Sequence, residues 1–130
     1  MKKKSSISFL ETKMEFAFDA RLPEDYIAES SLRMELYHRL GESSVDEETV
    51  QILAEMQDRF GVPPIQVIWL YHLTRIRIFA MQKGYTLLKF EKFTFRAEKQ
   101  KGKEVEKQTF TMPKTNDPAE FEKAVKALLS

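Results

Sequence analysis

Glu55 and Asp58 stand three residues apart in a run where Val50, Leu53, Met56 and Phe60 recur at helical spacing. Both carboxylates, with Glu47 and Glu48 upstream, therefore fall opposite the apolar stripe on one exposed face. Two neighbouring carboxylates can each engage an arginine fork, and such charge-assisted bidentate contacts give orientation and specificity as well as attraction. Two readings stay open here: a docking pair for a partner's arginines, or an ordinary solvated helix face. Arg59, next to Asp58, either takes up that acid internally or braces Tyr26 or the backbone beyond the helix. Arg33, Arg75 and Arg77 are ambiguous in the same way.

A second constellation lies further on. Lys89, Lys92, Arg96, Lys99, Lys101, Lys103 and Lys107 are interleaved with Phe90, Phe93 and Phe95, an arrangement that suits a single-stranded nucleic acid: aromatic faces stack bases while cations follow phosphates. Glu91, Glu98, Glu104 and Glu106 dilute that field, and alternating aromatics also serve a sheet that covers a helix. Catalytic patterns are missing. The four glycines, Gly41, Gly61, Gly84 and Gly102, are scattered as punctuation rather than gathered into a phosphate loop. His38 and His72 have no second ligand at metal spacing, and no carboxylate pair is marked for acid and base roles. Neither an enzyme nor a cofactor or metal is expected. Trp69 shares a helix side with Ile76 and reads as core rather than as an exposed anchor.

The elements that position these residues follow from periodicity and punctuation. Residues 1–13 form an arm or an artificial chain end, and 14–130 a single domain. Phe16, Phe18, Ala20 and Leu22 alternate with polar neighbours, predicting a half-buried strand from Glu15 that ends at Pro23. Ser30 or Ser31 caps a short helix carrying Leu32, Leu36, Tyr37 and Leu40, which Gly41 stops. Ser44-Val-Asp-Glu47 has a capping-box pattern for the acidic helix. Gly61, Pro63 and Pro64 then close that helix and open the next as a fixed elbow. From Pro64 to about Lys83 the sequence is apolar nearly all round, the mark of a central helix packed on several sides. Leu87 to Ala97 alternates with a phase slip near Glu91-Lys92, which predicts a bulge or tight bend. Lys101-Gly102 is a hairpin turn before a return strand, Val105 to Met112. Asp117-Pro118-Ala-Glu120 opens a last helix with Phe121, Ala124, Val125 and Leu128 on one side. The fold class is α+β: an N-terminal strand, three helices, a β-hairpin and a C-terminal helix, with the helices packed on a small antiparallel sheet.

Composition sets outer bounds. With 130 residues, 42% of them hydrophobic and 12% aromatic, the chain can bury a core without staples. Its 21 basic and 20 acidic side chains give a net charge of +1, which argues against affinity built on blanketing phosphates or a membrane with cations. There is no cysteine, so disulfides, thiolate chemistry and cysteine-ligated zinc are excluded. No apolar run is long enough for a membrane span or a signal peptide, and a cytoplasmic location is the expectation.

Three separated blocks carry a resemblance: Pro23-Glu-Asp-Tyr-Ile, Leu32-Arg-Met-Glu-Leu-Tyr-His-Arg-Leu40 and Glu55-Met-Gln-Asp-Arg-Phe-Gly-Val-Pro63. In this order and spacing the chain resembles, from about Glu15 to Gly84, the C-terminal domain of the bacterial transcription-repair-coupling factor, Mfd. The resemblance implies a terminal, non-catalytic piece of an ATP-driven DNA translocase that removes stalled RNA polymerase and recruits excision repair. It also implies packing against the parent's own UvrB-like module, which masks the surface for UvrA and holds the factor autoinhibited. Carried over by position, Glu55 and Asp58 are the pair expected to meet arginines of that module. Tyr26, Arg33, Arg59, Phe60 and Gly61 match the same motif as structural supports. No direct DNA contact is expected of this domain, and RNA polymerase is reached only through the parent.

Overall fold

The computed structural model describes residues 12–130. Its backbone contacts divide the chain into two compact units, one spanning Phe18–Ile78 and the other the residues up to Ala17 together with Phe79–Ser130. Most of the expected arm, 1–13, lies outside the described residues. Thr12 is buried and donates its hydroxyl to the carbonyl of Tyr85 at 2.6 Å, and Lys13 already belongs to a strand.

The first unit is helical. Its α1 (Ser30–Glu42) runs one residue past Gly41, which is an ordinary helical residue here rather than a stop. Neither serine caps its start, since Glu29 holds the N-cap position without a side-chain bond. The helix ends where the Ser43 hydroxyl and backbone N–H turn back to the carbonyls of Arg39 and Leu40. In α2 (Asp46–Phe60) the expected capping pattern is shifted by one residue. Glu48, not Glu47, reaches back and accepts the N–H groups of Ser44 at 2.7 Å and Val45 at 3.3 Å. Those backbone donors hold the Glu48 carboxyl below its ordinary range. The buried side of α2 is likewise rotated from the expected stripe: Thr49, Ile52 and Met56 are inside and Val50 is exposed. Thr49 is tolerated there because its hydroxyl is satisfied by the Asp46 carbonyl at 2.6 Å.

The unit's core joins Leu22, Ile27, Leu36, Leu40, Ile52, Met56 and Val67, with Tyr26, Leu53 and Phe60 packed against it. The predicted strand from Glu15 to Leu22 is a correction. Only Lys13–Glu15 pair as β1, and the alternation beyond it has a different cause: Phe18 stacks on Trp69 at 5.0 Å and Leu22 enters the helical core. Trp69 is half-buried rather than an exposed anchor. Helix α3 (Ile65–Gln82) is covered on every side, as its composition predicts, with only its two terminal residues exposed.

The second unit is a sheet with a helix. Its strands, β1 (Lys13–Glu15), β2 (Tyr85–Phe90), β3 (Thr94–Lys101) and β4 (Glu104–Thr111), follow in spatial order. The predicted bend at Glu91-Lys92 is a complete reversal, with Glu91 N–H bonded to the Thr94 carbonyl, so Leu87 to Ala97 is two strands. Strand β1 is parallel to β2, and the sheet is therefore mixed rather than antiparallel. Gly102 turns the last hairpin at φ 62°. Helix α4 (Pro118–Leu129) opens as expected, the Asp117 carboxylate accepting from Ala119 and Glu120. The α+β class and element order agree with the sequence reading.

Candidate functional site

The elbow after α2 is built from three kinds of contact. Gly61 takes φ 90° and ψ −164°, an extended conformation of positive φ that side chains strongly disfavour, while its N–H still closes the helix on the Gln57 carbonyl. Its role as helix terminator therefore comes from that backbone region rather than from the usual left-handed helical one. Tyr26 braces the same turn, its hydroxyl shared between the carbonyls of Gly61 at 2.8 Å and Met56 at 3.2 Å. Burial raises that phenol above its ordinary pKa. The ring of Phe60 meets Tyr26 edge-on at 5.8 Å, and the Arg59 guanidinium lies over Phe60 at 5.1 Å. Arg33 secures the chain entering α1, donating to the carbonyls of Ile27 at 2.7 Å and Ala28 at 2.9 Å. Val62, at the apex, is 90% exposed.

On this rigid frame α2 presents its acidic face. Asp58 is exposed and pairs with no cation among the described residues, Arg59 included, whose guanidinium sits over Phe60 instead. Glu55 is different. Arg39 of α1 grips it with a full fork, Nη1 to Oε1 at 2.9 Å and Nη2 to Oε2 at 2.7 Å. That fork holds the Glu55 carboxyl below its ordinary range, and the charge of Arg59 adds to the effect. The two acids thus share a face but not a state: one is free and the other already holds a guanidinium. Sequence reasoning missed Arg39. Helical spacing puts Arg39 beside the inward side of α1 marked by Leu36 and Leu40, but it does not give the pairing with Glu55 across two helices.

The basic hairpin does not assemble a stacking platform. Phe90 and Phe95 are buried and pack with Phe121 and Phe110, at 5.6 Å and 5.0 Å respectively, so only Phe93 offers its ring to solvent. Several cations there are also engaged locally: Lys101 with Glu106, Arg96 with Glu98, and Lys99 over the Tyr85 ring. His38 pairs with Glu42 and His72 lies edge-on to Tyr71. Among the described residues no group of three or more His, Asp or Glu side chains is placed to hold a metal ion, and no helix is long and apolar enough to cross a membrane. A surface hollow is bordered by Arg21, Asp25, Arg33 and Tyr37.

Comparison with known proteins gives concordant results. The family model of the TRCF domain matches residues 16–110. A transcription-repair-coupling factor of Staphylococcus haemolyticus is 35% identical over 79 residues, and that of Staphylococcus aureus strain USA300 is 32% identical over the same length. In both cases the match covers 61% of this chain and 7% of the relative, so the chain spans only a small part of these proteins. A crystal structure of the C-terminal domain of a transcription-repair coupling factor superposes with a TM-score of 0.72 at 15% identity, covering 92% of this chain and 88% of that one. Since the family model spans well over half of the sequence, the chain belongs to the TRCF domain family.

Proposed function

We propose that this chain is a non-catalytic regulatory domain that docks on the UvrB-like module of a transcription-repair-coupling translocase. By covering the surface that UvrA would bind, it holds the factor autoinhibited in the cytoplasm. The motor, and the contacts with RNA polymerase, belong to other parts of such a parent. The observation that carries this reading is the exposed acidic face of α2, with Asp58 free and Glu55 already shaped around a guanidinium. That face stands on an elbow fixed by Tyr26 and Gly61, so the backbone that carries the carboxylates needs no ordering on docking.

Docking within one polypeptide benefits from a high effective concentration, so a modest interface suffices to keep a site covered. A clamp of this kind must also open, and allosteric coupling supplies only about 1–3 kcal/mol. An exposed carboxylate surface suits that requirement better than a large apolar seam. The test is charge reversal, E55K with D58K, in the full-length parent. The domain should stay folded while UvrA binding and basal ATPase both rise, with docking weakened by about 2–5 kcal/mol where the charges become desolvated. Unchanged values in both assays would discard the proposal.

A further inference from the structure

Glu55 is an acidic docking residue that has a guanidinium in place before any partner arrives. Both of its oxygens are engaged by Arg39, in the two-bond geometry that an arginine from a partner would use. A second guanidinium approaching the same edge meets occupied lone pairs and a neutralised charge. We infer that Arg39 is an intrachain competitor for the docking arginine, so that engagement of Glu55 is an exchange of one guanidinium for another. This inference rests on the docking function proposed above and adds what sets its strength and specificity.

Three features make the exchange feasible. The pair is exposed on both sides, with 36% of the Arg39 side chain and 47% of that of Glu55 open to solvent, so the fork can open without burying a charge. Glu35, one turn before Arg39 on α1, lies close enough to act on it electrostatically and offers the released guanidinium a second carboxylate. Asp58, one turn along from Glu55, carries no competing cation and can receive a second partner group at once. The exchange also selects for arginine, since a lysine ammonium cannot replace two parallel hydrogen bonds.

The experiment titrates this chain, as wild type, R39M, R39K, E55Q and the R39M/E55Q double variant, against the UvrB-like module, with thermal unfolding of each variant as the folding control. Met keeps the length of the Arg39 stem, so packing is retained while the fork is lost. R39M should bind about two- to fivefold more tightly than wild type, the range expected on removing one exposed ion pair, and R39K should fall between them. In the E55Q background the R39M gain should vanish. Equal or weaker binding by a folded R39M, or a gain that survives E55Q, overturns the exchange while leaving docking itself intact. Absence of any wild-type binding overturns the docking function, and the exchange with it.

Discussion

Two charged surfaces of this protein look alike in sequence and differ in the structure. The strands β2 to β4 alternate cations with phenylalanines, yet Phe90 and Phe95 are buried, Phe90 against Phe121 of α4 and Phe95 against Phe110, and several cations pair with strand neighbours. The acidic face of α2 has fewer charges, and they are taken up unevenly: Arg39 holds Glu55, while no cation among the described residues pairs with Asp58. Tyr26 and Arg33 bond to backbone carbonyls and Arg59 lies on Phe60. How many charges stay free on a surface therefore depends on the engagement of its neighbours rather than on its own charge count.

The sharpest way to break that contrast is to ask whether the hairpin aromatics are core or platform. F95A should destabilise the protein by about 3–5 kcal/mol in denaturant unfolding, as deletion of a buried ring does. F93A should stay within about 0.5 kcal/mol of wild type, because Phe93 is 72% exposed. Comparable losses at both positions would contradict the assignment. With no platform formed, neutralising Lys99, Lys101 and Lys103 should leave any weak binding of single-stranded DNA without a specific component to lose, as read by salt-dependent titration.

Smaller effects test the frame beneath the acidic face. G61A should cost about 1–3 kcal/mol, through backbone strain alone, since a Cβ at this position would meet no neighbouring atom. Y26F should cost about 1 kcal/mol by leaving the Gly61 and Met56 carbonyls short of a donor. The smallest effect is electrostatic. The Glu55 carboxyl is depressed by Arg39, so the pair's contribution is present above the ordinary carboxylate range and is lost as pH falls through its lowered folded value. Stability curves of wild type and E55Q should therefore differ near neutrality and converge only as pH falls below the ordinary carboxylate range and through the lowered folded value. Curves that stay parallel throughout would show that the pair does not couple to folding.

The sequence was most readable where backbone chemistry decides the outcome. Gly61 with two prolines, the Asp117 cap and the all-apolar α3 each reflect a constraint that few residues satisfy. It was least readable where tertiary packing chooses among equivalent patterns. Phe16 to Leu22 alternates like a strand, but the alternation comes from Phe18 meeting Trp69 and Leu22 meeting the helical core. The phase slip at Glu91-Lys92 marked a bend correctly, while its extent depended on pairing between distant residues. The candidate site was half legible for the same reason. Spacing placed Glu55 and Asp58 on one face, but the Arg39 fork joins residues sixteen apart on separate helices, and helical periodicity says nothing about that pairing.

Whether the acidic face of α2 docks is decided by titrating this chain against the UvrB-like module at moderate salt, as wild type and as the E55K/D58K variant. Wild-type binding should be saturable and should weaken at least tenfold in the variant, a loss of about 1.4 kcal/mol or more, with thermal unfolding nearly unchanged. Equal affinity of two folded proteins would contradict that docking and return the acidic face of α2 to ordinary solvated surface.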